Sequence, residues 1–215
     1  MIYKAVIFDL DGTLLNTLKD IVESLNKVLR DYKFDTHSYD EYKYFIGNGA
    51  KTLIDRVVPK DTLESTKEDI LKRYISVYEK HQYDKTCIYE GIENLLLKLN
   101  ELGISISVLS NKPHNATVSI INHYFSDIKF QCVFGQRHGI PIKPDITSAM
   151  EISKIINIKP CEIIYLGDSN VDMKTAVSSG MFPVGALWGF RTKHELLENG
   201  AKKVISHPLD LLEII

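Results

Sequence analysis

Two aspartates, Asp9 and Asp11, stand two apart and lead into Gly12-Thr13. Further polar clusters occur far along the chain. They are Ser110-Asn111-Lys112, Lys143-Pro144 and Gly167-Asp168-Ser169-Asn170-Val171-Asp172. Taken singly, an acidic or hydroxyl cluster of this kind reads equally well as a helix N-cap, since such side chains accept from the free N–H groups of a first turn. Taken together, the clusters hold the parts of a phosphoryl-transfer site. Asp9 and Asp168 supply hard oxygen ligands of the kind Mg2+ prefers, with water and phosphate completing an octahedron. Lys143 and the Ser110 hydroxyl supply a cation and a donor for phosphate oxygens. The backbone around Asp11-Gly12-Thr13 and Asn111 adds N–H donors. A carboxylate attacking a phosphate dianion meets repulsion, so Asp9 serves as nucleophile once Mg2+ and Lys143 neutralise charge. Asp11 is then placed to protonate the leaving oxygen, and afterwards to activate the water that cleaves an aspartyl-phosphate.

These clusters need elements to position them. Tyr3–Phe8, Ile104–Leu109, Gln131–Phe134 and Glu162–Leu166 read as short buried strands, with a weaker one at Phe182–Ala186. Ile92, Leu95, Leu96, Leu99 and Leu102 form a helical stripe that Gly103 ends. Pro113–Tyr124 and Pro144–Ile156 read as helices opening on proline, which a first turn tolerates. The alternation predicts an α/β fold with a Rossmann-like parallel sheet covered on both faces. Each polar cluster then falls past a strand, at the carboxyl edge where such sheets bind ligands.

Residues 16–83 break that rhythm. Ile21, Val22, Leu25, Val28 and Leu29 make one helical stripe; Leu53, Ile54, Val57 and Val58 a second; Ile70, Leu71, Tyr74, Val77 and Tyr78 a third. No strand is expected there. The domains are therefore an α/β core of residues 1–15 and 84–215, and a helical insert of residues 16–83. The links fall near Leu15-Asn16 and Tyr83–Tyr89.

Composition narrows the function classes. Lys and Arg number 26 against 28 Asp and Glu, a net charge of −2, so no basic surface spreads over the molecule and nucleic acid is not expected as a partner. Three scattered cysteines, Cys87, Cys132 and Cys161, without a CxxC pair, suit a reducing compartment. No apolar run is long enough to span a membrane. Two acids arrive by Asp11, before a signal-peptide apolar region. The expectation is a cytoplasmic monomer or homodimer acting on a small phosphorylated metabolite. His37, His81, His123 and His138 show no zinc spacing, and His114 reads as a surface helix residue. Arg191 either reaches the pocket or is solvated, and Tyr74 and Tyr78 read as packing residues.

Asp9-Leu-Asp-Gly-Thr-Leu14, Ser110, Lys143 and Gly167-Asp168-x-x-x-Asp172 resemble, in order and spacing, the motifs of the haloacid dehalogenase-like superfamily. The resemblance covers essentially the whole chain. The insert is similar to the family's helical cap, and Gly47-Asn48-Gly49-Ala-Lys51 to the cap segment of phosphoglycolate phosphatases and near relatives. The resemblance implies Asp9 as nucleophile and Asp11 as acid/base. It implies Mg2+ held by the side chains of Asp9 and Asp168 and the Asp11 carbonyl. It implies Ser110 and Lys143 on the phosphoryl group, and Asp172 orienting Lys143 or a metal-bound water. One departure is Glu90-Gly91, where relatives commonly carry proline before the glycine.

A cap selects substrates by closing over a site that otherwise sees only phosphate. Gly47, Asn48 and Gly49 precede an apolar stripe, so their N–H groups, with Lys51, are expected to bind the far end of a small anionic substrate, 2-phosphoglycolate first. The alternative is a plain helix cap with Lys51 solvated. Rival substrates are pyrophosphate, nucleotides and sugar phosphates. More distant rivals are a phosphomutase and a non-catalytic regulatory protein.

Overall fold

The run Ala-Val-Ile-Phe at residues 5–8 has every side chain buried, so apolar atoms are needed on both faces and the run becomes the centre of a sheet. The computed structural model describes residues 3–215. Its elements, in chain order, are β1 (Ala5–Phe8), β2 (Leu15–Asn16), α1 (Leu18–Asp31), α2 (Tyr39–Phe45), α3 (Gly49–Val57), α4 (Glu64–His81), β3 (Cys87–Ile88), α5 (Ile92–Glu101), β4 (Ser105–Pro113), α6 (His114–Tyr124), β5 (Cys132–Gln136), α7 (Thr147–Ile155), β6 (Ile163–Gly167), α8 (Asn170–Ser178), β7 (Phe182–Ala186), α9 (Lys193–Glu198) and β8 (Lys203–Ile205). Six strands form one parallel sheet in the order β5-β4-β1-β6-β7-β8. The chain first moves outward from β1 through β4 and β5, then returns to place β6 on β1's other side. The crevice where that direction reverses is where open α/β sheets bind ligands. Asp9 stands there.

The helical insert has an apolar core of its own. Leu25, Val28 and Leu29 of α1, Tyr42 of α2, Leu53 and Ile54 of α3, and Ile70 and Tyr74 of α4 pack together. The sheet's largest cluster, which includes Val6, Phe8, Leu96 and Ile106, is separate. Two apolar cores joined by two crossings suit a cap that moves as a body.

The crossings are more ordered than the sequence suggests. β2 and β3 pair antiparallel, Leu15 with Ile88 and Asn16 with Cys87. Asn16, in the stretch where no strand is expected, is therefore in one. Two residues are too few to display a period. Asp20 fastens the same junction: its buried carboxylate accepts from the backbone N–H of Lys85 and Thr86 and from the Thr86 hydroxyl, at 2.7–3.0 Å.

Other differences are local. β4 runs on to Pro113, so Ser110, Asn111 and Lys112 lie within the strand rather than past its end. Its register against β5 shifts between Leu109 and Pro113. Pro113 and Pro144 precede their helices instead of sitting in the first turn. α6 begins at His114, and α7 only at Thr147, whose N–H donates to Asp145 Oδ1 at 2.8 Å. α2, α9 and β8 are additional to the elements expected.

Candidate active site

Asp9 follows β1, Asp168 follows β6, and Asp172 lies in the first turn of α8. Their carboxylates come within 4.8 Å of one another, and all three residues are buried. Lys143, from the loop between β5 and α7, reaches into the group. Its Nζ donates to Asp9 Oδ1 and Asp172 Oδ1, both at 2.7 Å, and to the Leu109 carbonyl at 2.9 Å. Three acceptors use all three N–H bonds of the ammonium, so its position is fixed.

Each member is braced from behind. Asp172 Oδ2 accepts from the backbone N–H and the hydroxyl of Ser169, and the Asp172 N–H donates back to Ser169 Oγ to complete a capping box, which leaves Oδ1 for Lys143. Asp168 accepts from Thr13 Oγ1 at 3.1 Å and from the Phe190 N–H at 2.7 Å. Gly12 (φ +91°) and Gly189 run so close that a Cβ on either would sit 2.4 or 2.3 Å from Asp168 side-chain atoms. The Asn111 carboxamide clasps Lys143 by its N–H (2.9 Å) and its carbonyl (3.0 Å), and also donates to the Gly47 carbonyl of the cap at 2.9 Å.

Burial pushes the Asp9 carboxyl well above the usual carboxylate range; the charges of Asp172 and Asp168 add to the rise and Lys143 opposes it. Burial likewise raises Asp168 to about 7, with Asp172 adding and the Phe190 N–H, Arg191 and Thr13 opposing. Burial works against the charge on Lys143, but Asp172 and Asp9 outweigh it and hold its pKa well above the ordinary lysine value. When ionised, the three buried carboxylates outnumber the one ammonium, and burial and mutual repulsion favour the protonated forms of Asp9 and Asp168. The donors are hard oxygens, so the set fits a divalent cation such as Mg2+.

A pH dependence follows. Asp168 holds its proton to about 7 when folded, against 3.8 for an ordinary aspartate. The folded state binds the extra proton between those values, so the related stability is present below the lower one and is lost as pH rises through the upper. A metal takes the ionised form. If a divalent cation such as Mg2+ takes this site, the rise in Tm it produces is therefore expected to be clearly larger near pH 8 than near pH 5.5, as read by thermal denaturation. Equal rises at both would contradict this electrostatic account.

Asp11 stands apart from the three carboxylates. Its Oδ1 accepts from Thr17 Oγ1 at 2.7 Å and from Lys112 Nζ at 3.0 Å; Lys112 also reaches Oδ2 at 3.3 Å. The Lys112 ammonium lies 4.4 Å from the centroid of the Tyr78 ring, on the cap. Between them is a cavity of about 60 Å³. Asp9, Asp11, Ser110, Asn111 and Lys112 form its core side, and Ile46, Leu53, Tyr74 and Tyr78 part of its cap side. Tyr74 and Tyr78 are thus both packing residues and wall.

The Gly47–Lys51 segment divides. Gly47 and Gly49 line the cavity, and Asn48 precedes α3 as its cap residue. The Asn48 side chain makes no capping bond; its oxygen accepts from Arg56 Nη2 at 2.9 Å. Lys51 is exposed and is not part of the lining. Arg191 is neither in the pocket lining nor solvated. It is buried and donates to the Tyr44 and Ile46 carbonyls, tying the core to the cap. His114 Nδ1 accepts from the Gly135 N–H at 3.3 Å, a structural bond.

A model of the haloacid dehalogenase-like hydrolase family matches residues 6–186, which includes all of Asp9, Ser110, Lys143, Asp168 and Asp172. The chain belongs to that family. Among its relatives, a phosphoglycolate phosphatase of Mannheimia succiniciproducens is 26% identical over 99% of this chain and 98% of its own. One of Aquifex aeolicus is 25% identical over 99% and 96%. The crystal structure of a predicted phosphoglycolate phosphatase from Haemophilus somnus superposes with a TM-score of 0.93 at 25% identity, covering 100% of this chain and 98% of the other. In this hydrolase fold no helix among the described residues is long and apolar enough to cross a membrane.

Proposed function

We propose that the chain is a Mg2+-dependent phosphomonoesterase working through an aspartyl-phosphate on Asp9. The observation that carries this reading is the Lys143 ammonium held between Asp9 and Asp172 beside Asp168, at the sheet's carboxyl edge. Asp9, Asp168 and the Asp11 carbonyl would hold the Mg2+, which when bound offsets the charge of the carboxylates and the phosphoryl group.

The protein's own groups do the rest. The Ser110 hydroxyl and the backbone at Gly12, Thr13 and Asn111 orient the phosphoryl group, and the fixed Lys143 ammonium offsets its charge, with a donor freed for it once Asp9 bonds to phosphorus. An Asp9 oxygen forms a bond to phosphorus as the bond to the leaving oxygen breaks, and Asp11 gives that oxygen its proton. Asp11 then takes a proton from water. The water oxygen bonds to phosphorus as the Asp9 oxygen–phosphorus bond breaks, so the Asp9 carboxylate is restored and inorganic phosphate is released. Asp172 keeps Lys143 in place.

The leading substrate is 2-phosphoglycolate. Full-length relatives bearing that enzyme's name support it. So does a cavity of about 60 Å³, which admits a leaving group of a few heavy atoms. Gly47 and Gly49, whose backbone lines that cavity, are proposed substrate contacts. The test is phosphate release from a panel of phosphomonoesters and pyrophosphate, with Mg2+ and with EDTA. Cleavage of a small phosphorylated acid that EDTA abolishes is expected. Release from nothing in the panel would overturn the phosphatase reading, and preference for pyrophosphate or a sugar phosphate the substrate.

A further inference from the structure

We infer that Lys112 reads the non-reacting end of the substrate: an anionic group on the leaving moiety, a carboxylate first, pairs with its ammonium. This rests on the phosphatase reading of the same site and names the residue that chooses among phosphomonoesters.

The cavity wall carries the acids Asp9, Asp11 and Glu79, and Lys112 is the one cation among its described lining residues. The rest of the cap wall is largely apolar, with Ile21, Ile46, Leu53 and Ile75. A carboxylate entering such a space without a cationic partner meets a desolvation cost that its small size cannot recover. Lys51 is on the exposed side of α3. Lys112 is therefore the residue in position to receive it.

The ammonium has capacity for that partner. Its side chain is 4% exposed, so it is held in the wall and does not sweep through solvent. Asp11 accepts from it at 3.0 and 3.3 Å, and the Tyr78 ring covers it at 4.4 Å. An ammonium has three N–H bonds and Asp11 takes at most two, so a donor is left with no acceptor among the described residues. Lys112 is also two residues beyond Ser110 on β4, and both line the cavity. A molecule whose phosphoryl group rests on Ser110 and whose acid rests on Lys112 is therefore short.

The same geometry joins recognition to chemistry. Lys112 and Thr17 both hold Asp11 Oδ1. A substrate carboxylate arriving at Lys112 shares the cation with Asp11 and loosens that tether, next to the leaving oxygen that Asp11 must protonate. Lys112 is thus a specificity residue that also positions the acid.

The test uses Mg2+-loaded full-length protein and two probes, 2-phosphoglycolate and ethyl phosphate, which lacks the carboxylate. Affinities are measured by calorimetry on Asp9→Asn protein, which cannot turn over, with and without Lys112→Met. Turnover is measured in parallel on Asp9-containing protein. Lys112→Met is expected to weaken 2-phosphoglycolate about 100-fold more than ethyl phosphate, the scale for losing one partner of a buried charge pair. Lys112→Arg is expected to recover part of the difference. Equal weakening of both probes, or of neither, would overturn the inference, since a merely structural lysine moves both together. A selective affinity loss in protein that releases no phosphate would instead overturn the phosphatase reading while leaving Lys112 as the anion reader.

Discussion

Asp9→Asn is expected to reduce phosphate release by about 10⁴-fold or more, the scale on which losing a nucleophile acts in other covalent enzymes. The carboxamide has the shape of the carboxylate, and its oxygen can still accept from Lys143, which keeps Asp172 and the Leu109 carbonyl as further partners. What it lacks is the anionic oxygen that, in the proposed mechanism, bonds to phosphorus. Folding should not suffer. Burial and the neighbouring acids already disfavour the charged form of Asp9, so removing the charge relieves a cost instead of breaking a needed pair. Steady-state kinetics beside a thermal melt check both halves. Lost activity with an unchanged or higher Tm is the expected pair of results. Retention of a tenth of the activity would place the nucleophile elsewhere.

Much of the fold was legible because its central strands must be apolar on both faces. β1 lies within its run, β7 coincides with its run, and β6 overruns its run only by Gly167. What escaped was short or marginal. α2 has seven residues with only Tyr42 buried, too few for a stripe. Its signal was the Ser38-x-x-Glu41 capping box, in which Glu41 Oε2 accepts from the Ser38 N–H at 2.8 Å. β8 is a three-residue edge strand that opens on an exposed lysine. β2 and β3 are defined by each other across some seventy residues of cap, a pairing that no local pattern encodes.

The site divides in the same way. Residue types near four strand ends pointed to Asp9, Ser110, Lys143 and Asp168, because a parallel sheet places such ends at one edge; in the structure Ser110 lies within β4 and Lys143 in the loop after β5. Lys112 escaped. Its sequence neighbours make it one more polar residue after a strand, and its partner Asp11 is 101 residues away. Arg191 escaped likewise, since the carbonyls it holds belong to the cap. Contacts between an inserted domain and its host depend on how the two bodies meet. Periodicity and spacing say which side chains share a face, not which faces oppose one another.

Lys143→Met should act on stability as well as on activity. Methionine fills most of the space but leaves the Asp9 and Asp172 carboxylates facing each other, buried, with no cation between them. Breaking a buried pair by removing one partner costs about 3–5 kcal/mol, because the remaining charge is uncompensated. In a chain of this length that corresponds to a Tm lower by roughly 10 °C. The pH dependence identifies the cause. Lys143 is the neighbour that lowers the Asp9 pKa, so its loss raises that value further above the unfolded one. A raised carboxyl stabilises the folded state at low pH and loses that contribution as pH rises through its folded value. The gap in Tm between the parent protein and the variant should therefore narrow from pH 8 to pH 5, as the orphaned Asp9 takes up a proton. Adding Asp172→Asn to Lys143→Met removes the second charge and should return much of the lost stability, so the two changes will not add. Phosphatase activity should stay about 10³-fold down in both variants, since the proposed mechanism then lacks its lysine cation at the phosphoryl group. A simple packing defect would give a gap that pH does not alter and a double variant no better than the single one.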